Sequence, residues 1–538
     1  MSRKIITIIA IVVIVFGGGT AAILINNAAR AFRPVAHTIS GEQFFAVSGN
    51  GGNAVAIGNY LFFISGFVPL SEIEYRDNEH NRVEYGGIFR IALGPDGVPQ
   101  YDNSWLENWE ENQHRDPIIN AEYYGNLWNT RVANKRLIVP KIAGHETSSM
   151  WIFGNHIIYT SPHNRLDRQG NMQADRLDFF RVDLTGANHR HLFTTSSTNL
   201  TRDDFTVAWV GGHSHLLVND GGRLVRVGVS RDAGDVTTIA RDVTSFAFPT
   251  VSNYFITGSE TNTQAKGFGG VMNFVYWTED REREENSTRV PAGNIMRRFN
   301  IANGTRNTIA NELGRHYRVL SVSGGNLAFE RGDWNQGQPN NHSLYITNQQ
   351  FTTTAGQNID TFRAMSLHPG ERIFLPTDTS GASFRLITLI GRQLDLFTRP
   401  GLTSEFTFNR TLSSNVDEVL SVTANGIHYM SGGSVRFIEF IGINGELGTN
   451  PEAERTIGSA NNRVDEINIT FFQSRPYTGR NNAQEFFFFM TTFTDSEAMI
   501  DADGEEGMQI NETISVPVIV DRNGNQWILG VIEERFLV

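Results

Sequence analysis

The chain rhymes with itself. Phe62-Phe63-Ile64-Ser65, Ile158-Tyr159-Thr160-Ser161 and Val275-Tyr276-Trp277-Thr278-Glu279 are each followed by a polar loop and then by a second apolar strand carrying an arginine. Those second strands are Ile88-Phe89-Arg90-Ile91-Ala92, Phe179-Phe180-Arg181-Val182-Asp183 and Ile295-Met296-Arg297-Arg298-Phe299. A unit of this kind cannot bury its apolar face alone, so its recurrence marks a repeat architecture. Weaker copies pair Ser214-His215-Leu216-Leu217-Val218 with Leu224-Val225-Arg226-Val227, and Asn326-Leu327-Ala328-Phe329 with Ser343-Leu344-Tyr345-Ile346. Two more pair Arg372-Ile373-Phe374-Leu375 with Phe384-Arg385-Leu386-Ile387, and Gly426-Ile427-His428-Tyr429 with Val435-Arg436-Phe437-Ile438. Together they make seven units between Gly58 and Gly445.

A spacing of about 45 to 60 residues is that of one four-stranded β-propeller blade with generous loops. The expected fold is therefore all-β, a propeller of seven blades with six or eight as the alternatives, occupying residues 43–445. Residues 98–149 interrupt it as an insertion rich in aromatics. Beyond 445 the strands Ile467 to Phe472, Glu485 to Met490, Ile514 to Val520 and Trp527 to Val531 make 446–538 either a final blade or an appended sheet that closes the ring. The Asn523-Gly524 pair suits a tight hairpin turn between the last two.

Residues 1–4 include Arg3 and Lys4 and precede an uncharged apolar run over 5–25, in which Ile5, Ile9, Val13, Phe16 and Ile23 lie. Some twenty residues at about 1.5 Å each cover the ~30 Å of a bilayer core. With positive charge before the run, residues 1–4 stay cytoplasmic, 5–25 form a transmembrane signal-anchor helix and 26–42 are a tether. A cleaved signal peptide is the competing reading, since Ala29-Arg30-Ala31 has the small-x-small form. Either reading places the bulk of the chain outside the cytoplasm, tied to a single-pass membrane segment in the first case.

Composition narrows the chemistry. A net charge of −12 speaks against a nucleic-acid partner, which needs clustered Lys and Arg. The absence of cysteine removes disulfides, thiol catalysis and cysteine zinc sites. No Gly-x-Ser-x-Gly elbow, His-Glu-x-x-His helix or Gly-Lys-Ser/Thr loop occurs, Lys266 leading instead into Gly267-Phe268-Gly269-Gly270.

Tyr276-Trp277-Thr278-Glu279, followed by Asn294 to Gly304, resembles a blade of the low-density-lipoprotein-receptor type of propeller, whose hallmark is a Tyr-Trp-Thr-Asp strand and then a strand of the form Ile-x-Arg-x-x-Leu-Asp-Gly. The segment from Trp151 to Ser196 is similar to uncharacterised bacterial membrane-anchored surface proteins carrying such repeats. Glu279 stands where that family has Asp, and the other units lack the Trp. The resemblance covers roughly 58–445 and implies a binding role.

Four sets of residues are candidates for chemistry. Trp105, Trp109, Tyr123, Tyr124 and Trp128 sit among Asp, Glu and Asn in the insertion and suit a protein or glycan partner of the cell envelope, or a small core of the insertion itself. Asp501, Asp503, Glu505 and Glu512 offer oxygen ligands for calcium at alternate positions with a late carboxylate, but the glycine is Gly507 and not the sixth residue. No other cofactor is expected. His189-Arg190-His191 and His213-Ser214-His215 each put two imidazoles on one strand face, a spacing that can grip zinc. Asp77, Glu79 and Glu84, or Glu279, Asp280 and Glu282, are carboxylates that an exported glycan hydrolase could use. Their arginine neighbours favour solvated charge clusters. The reading reached from sequence is an extracytoplasmic, membrane-tethered binding or scaffolding propeller without catalysis, with the exported glycan hydrolase as its alternative.

Overall fold

A computed structural model describes residues 37–529 with interruptions, the longest at 66–86, 100–135, 140–147, 164–174, 349–361, 375–384, 458–469 and 474–484. The described strands form antiparallel sheets of four or more strands arranged around an axis. The protein is an all-β propeller, and each of the seven repeat units belongs to its own blade.

Four strands in simple succession make each blade, and in blade 2 these are Met150–Phe153, His156–Pro162, Leu177–Asp183 and Arg190–Thr194. Blade 1 runs from Ala54–Ile57 to Arg136–Val139, blade 3 from Phe205–Val210 to Val236–Ala240 and blade 4 from Val243–Ala247 to Arg306–Ala310. Blades 5, 6 and 7 begin at Arg315–Ser323, Arg372–Phe374 and Glu418–Thr423. Residues 446–538 supply one more four-stranded sheet, Thr470–Gln473, Glu485–Ile500, Glu506–Asp521 and Gln526–Ile528.

Why the repeated strands are apolar without interruption is visible in their packing. Neighbouring blades cover both faces of a blade, so alternate side chains go to different cores. In Tyr60–Ser65, Phe62 and Ile64 join the core shared with blade 2, whereas Leu61 and Phe63 join the one shared with the C-terminal sheet. The run Phe486-Phe487-Phe488-Phe489 divides the same way: Phe486 and Phe488 face blade 1, Phe487 and Phe489 face blade 7. The C-terminal sheet thus stands between the seventh blade and the first and closes the circle. The remaining interfaces follow in order around the ring, with Trp277 of blade 4 packed on blade 3 and Tyr276 packed on blade 5.

The repeated arginine straps blade to blade. Arg181 Nη1 donates to the Val229 carbonyl at 2.6 Å, and Arg226 Nη1 donates to the Ile301 carbonyl at 2.7 Å. Each acceptor lies one residue past the third strand of the next blade. Arg226 also covers the Phe299 ring of that blade, 5.5 Å from its centroid. The arginine therefore recurs for packing, and its polar end satisfies a carbonyl that would otherwise lie against apolar side chains.

Two details depart from the expected register. In blade 6 the pair Arg372 to Leu375 and Phe384 to Ile387 covers the first and second strands, where every other unit covers the second and third; Gln393–Thr398 is the third strand. The physical reason is that Leu396 occupies the register position opposite Ile387 that an arginine holds in blades 1 to 4, so the sequence marker is missing. In blade 1 the strand Arg136–Val139, inside 98–149, pairs with Gly87–Ala92 as the outermost strand, so the insertion leaves between the third and fourth strands of that blade. Trp105, Trp109, Tyr123, Tyr124 and Trp128 lie outside the described residues, as do Ile5, Ile9, Val13, Phe16 and Ile23 of the expected anchor. Among the described residues no helix is long and apolar enough to cross a membrane.

Replacing Arg181 with Ala removes the strap and leaves the Val229 carbonyl unpaired, which costs about 2 to 3 kcal/mol. Arg181→Lys recovers only part of this because it lacks the planar fork. Comparing thermal and urea unfolding of the two variants with the parent checks the expectation, and equal midpoints for parent and Arg181→Ala would refute it.

Candidate functional site

Strand direction sorts the connections onto two faces of the ring. The first strands all begin on one face, and in a simple four-strand succession the links between second and third strands return to that same face. Three of these links are built out into long hairpins. Blade 4 contributes Phe274–Glu285 with Thr288–Asn300, blade 5 contributes Asn326–Asn335 with Gln338–Asn348, and the C-terminal sheet contributes its two strands of 16 residues. Strands of seven residues suffice in blade 2, so the longer hairpins stand some 10 to 30 Å above the ring at ~3.3 Å per residue.

The mouth of the axial channel opens on this face. Here the starts of the first strands are sewn together across blades: Met150 N donates to Gly52 O at 2.9 Å and Gly51 N to Met150 O at 2.8 Å. The Asn50 amide grips Ile152 at both ends, donating to its carbonyl at 3.3 Å and accepting from its N–H at 2.8 Å. Asn53 N donates to Thr470 Oγ1 at 2.8 Å, tying blade 1 to the C-terminal sheet. Gly52 admits that approach, since a Cβ there would sit 2.3 Å from the Thr470 side chain.

Into this ring mouth reaches Arg202. It opens a short 3₁₀ turn, Arg202–Asp204, in which Asp204 accepts from both the Thr201 N–H and the Thr201 hydroxyl at 2.9 Å. Asn219 holds the other carboxylate oxygen at 2.9 Å. The Arg202 guanidinium, coming from blade 3, donates through Nη2 to Asn53 Oδ1 at 3.1 Å and to the Ser148 carbonyl at 2.5 Å. Its Nε is buried and has no hydrogen-bond partner, and no carboxylate among the described residues lies within ion-pair distance. Burial lowers its pKa to about 10, partly offset by the field of Glu418 at the start of the blade 7 first strand. It stays cationic at neutral pH.

A second polar cluster lies in blade 5 at the base of its long hairpin. Glu330 is 1% exposed, with Arg318 Nη1 at 3.7 Å and His342 Nδ1 at 4.0 Å from its Oε2. The His316 ring stacks on Trp334 at 5.7 Å and meets His342 edge-on at 5.6 Å. Trp334 Nε1 in turn donates to the Pro291 carbonyl at 3.2 Å, joining the hairpins of blades 4 and 5. Neither ring nitrogen of His342 has a hydrogen-bond partner. Gly332 makes the room, because a Cβ there would lie 2.7 Å from the Asn340 carbonyl and 3.0 Å from His342 Nδ1. Burial, then the neighbouring His342 and Arg318 charges, lowers the His316 pKa to about 4.

The residues singled out from sequence are dispersed. His191 Nε2 lies 3.2 Å from Asp178 and 2.9 Å from Thr194 Oγ1, while His189 Nε2 meets the Tyr159 hydroxyl at 2.5 Å. Asp178 also takes His163 Nδ1 at 2.9 Å. His213 is exposed and His215 half-buried, its pKa lowered to about 4 by burial and then by Arg226 and His213. His189 and His191 are therefore split between different partners, and among the described residues no group of three or more His, Cys, Asp or Glu is placed to hold a metal ion. Glu279 is paired with Arg297 at 2.5 Å and accepts from Trp277 Nε1 at 3.4 Å. Glu512 lies in the third strand of the C-terminal sheet opposite Asp495, whereas Asp501, Asp503 and Glu505 are outside the described residues, as are Asp77, Glu79 and Glu84. Arg202 carries no marker in the sequence beyond a Thr-x-x-Asp turn before an apolar strand, a pattern shared by ordinary capped turns.

No family model matches the chain, and no curated protein is similar to it. Among solved structures it is similar to an oligogalacturonate lyase from Vibrio parahaemolyticus at 8% identity and a TM-score of 0.34, over 60% of this chain and 83% of that one. A post-proline cleaving enzyme from Rickettsia typhi aligns at 10% identity and a TM-score of 0.36, over 82% of this chain and 57% of that one. TolB from Acinetobacter baumannii aligns at 11% identity and a TM-score of 0.26, over 55% and 77%. These likenesses assign none of those proteins' chemistry to this chain.

The two depressed histidines carry a consequence for pH. Their folded pKa values lie below the unfolded value of about 6.5, so the folded state resists protonation and stability is whole above pH 6.5. It declines as pH falls from 6.5 toward 4, by on the order of 1 to 2 kcal/mol per residue after allowance for residual exposure. Melting temperatures of the parent and of His316→Gln between pH 7 and 4 test this. The parent should lose more than the variant, and parallel curves would count against it.

Proposed function

We propose that this protein is an extracytoplasmic, membrane-tethered β-propeller binding or scaffolding protein of the bacterial cell envelope, without catalysis of its own. One observation carries the reading: the channel mouth with its cross-braced Arg202 and the long hairpins of blades 4, 5 and the C-terminal sheet all share one face of a rigid ring. Binding residues grouped on the connections of a rigid scaffold are the usual way a propeller acquires a ligand. The apolar run over 5–25 supports the membrane tether, and the recurring blade strands support kinship with the low-density-lipoprotein-receptor type of propeller, whose role is binding.

The N-terminal strand Glu42–Ser48 meets blade 1 at Val47↔Ile57 and Ser48↔Ala56, at the far end of the first strand. Glu42–Ser48, which follows the proposed tether, thus enters on the face opposite the hairpins, here the tether face. The insertion with Trp105, Trp109 and Trp128 departs from the tether face, since it joins third and fourth strands, and is a second place where an envelope protein or glycan would dock.

Replacing residues 281–292 and 332–341 by tight turns should abolish capture of a partner from solubilised envelope, or of a glycan on an array, while leaving the melting temperature within a few degrees. Retained capture by the shortened protein would remove the hairpin face from the reading. Turnover of a glycan, abolished by a single carboxylate change such as Glu282→Gln, would replace it with the hydrolase.

A further inference from the structure

The hairpin of the C-terminal sheet outgrows its own blade. Thr470–Gln473 pairs with Glu485–Ile500 only as far as Thr470↔Phe488, and Gln526–Ile528 pairs with Glu506–Asp521 only as far as Val518↔Ile528. Beyond them the two long strands pair with each other alone, through Phe493↔Ile514 and Asp495↔Glu512 to Ala498↔Gln509. Residues 491–498 and 509–516 thus make a two-stranded ribbon about 25 Å tall, with no outer neighbour on either edge among the described residues. Such a ribbon is marginal in water by itself, and each edge offers a row of free N–H and C=O groups. The outer edges of blades 1 to 6 are blunted instead. There the pairing of third and fourth strands shifts register, with an extra residue in the outermost strand such as Leu192 in blade 2 or Ile239 in blade 3. The ribbon keeps one register from Phe486↔Asp521 to Ala498↔Gln509, and residues 491–498 contain no Lys or Pro.

Register also sorts the ribbon into two faces, since alternate residues of a strand share one. Thr492↔Ser515, Thr494↔Thr513 and Ser496↔Asn511 make an uncharged face. The other carries Phe493↔Ile514, Asp495↔Glu512 and Glu497↔Ile510. Two acidic residues directly opposite each other cost an isolated ribbon stability, and nothing of the opposite sign stands near them in the sequence. Between Arg480 and Arg522 there are nine Asp or Glu and no Lys or Arg, in a chain whose net charge is −12. The ribbon therefore lacks both a third strand and a counter-charge. One kind of occupant supplies both: a strand with Lys or Arg at alternate positions completes the edge with its backbone and sets its cations on the face of Asp495 and Glu497. A second copy of this chain would bring the same acidic residues, and nucleic acid or an anionic lipid surface would be repelled.

We infer that residues 491–498, on the outer edge of Glu485–Ile500, take an added β-strand from a partner protein, an extended segment with Lys or Arg at alternate positions and uncharged residues between them. The inference rests on the reading of this face as a binding face and names the partner's chemistry. Backbone pairing provides affinity, and Asp495 and Glu497 select the register.

Fluorescence anisotropy of a labelled twelve-residue peptide alternating Lys and Thr, titrated with the full-length protein, tests this. The peptide should bind saturably, and at least ten times more tightly than three relatives: one with its lysines in a single block, one alternating Glu and Thr, and one N-methylated along its backbone. Asp495→Asn with Glu497→Gln should weaken it at least fivefold. Asp203→Asn with Asp280→Asn, at exposed positions away from the ribbon, removes the same charge and should change it less than twofold. Absence of saturable binding up to millimolar protein overturns the inference, as does equal affinity for the block or N-methylated peptide, or equal weakening by the two double variants. Should Asp495→Asn with Glu497→Gln fail to fold, the comparison of peptides on the parent decides alone. Capture of an envelope partner is measured separately: if it persists without peptide binding, this inference falls and the binding face stands, and if both fail the binding face falls as well.

Discussion

Every blade of this protein is covered on both faces, and most else follows from that condition. A sheet with one wet face would alternate apolar and polar residues; a blade in a closed ring has no wet face, so its central strands are apolar throughout. Phe62 and Phe63 are adjacent in sequence and serve different interfaces, as Phe486 and Phe487 do. Closure makes the condition self-consistent. Without the C-terminal sheet, Phe63 and Phe89 of blade 1 and Met430 and Phe437 of blade 7 would face water, and burying a phenylalanine contributes about 2 to 3 kcal/mol. The C-terminal sheet thus holds the first blade in place.

This condition also decides where polar groups can stand. Within the wall, a buried polar atom needs a partner, and the repeated arginines find theirs in carbonyls beyond their own sheet. The same logic governs Asn294, whose side chain takes both the N–H and the carbonyl of Tyr317 at 2.6 Å and bonds blade 4 to blade 5. Next to it Gly293, at φ +98°, lies so close to Arg315 that a Cβ would fall 2.1 Å from the Arg315 carbonyl. Such contacts make the wall rigid, and a rigid wall is what allows long hairpins to project without loosening the ring.

The strands were legible in the sequence because blade packing repeats. Tyr159, Tyr276 and Tyr429 are all buried second-strand residues, each found from its rhyme with the others. In blade 6 the sequence pattern points one strand early because Leu396 stands in place of the arginine marker. The C-terminal sheet lacks the repeat's pattern and its sequence fits two architectures, since Glu485–Ile500 and Glu506–Asp521 are far longer than a blade strand. The site was not legible at all. Arg202, Asn53 and Ser148 are 149 and 54 residues apart along the chain and meet only because three first strands begin at the same height. His189 and His191, by contrast, stand out in the sequence but have separate partners, because neighbours across the sheet decide where each ring bonds.

The contrast between the two kinds of arginine shows how a repeat protein keeps structure and function apart. Arg181 and Arg226 occupy the repeating position, and their guanidinium groups end on carbonyls of a neighbouring blade. Arg202 lies outside the repeat, in a turn that precedes a strand, and it too is braced by oxygen atoms of neighbouring blades. What separates them is position relative to the axis. A strap within the wall can meet only its neighbour, so its chemistry is spent on cohesion, whereas Arg202, ahead of the first strand of blade 3, reaches blades 1 and 2 at the end where their first strands begin. In a ring whose repeating residues are all committed to packing, the axis and the non-repeating connections are the places left for a ligand, and Arg202 stands where the two meet.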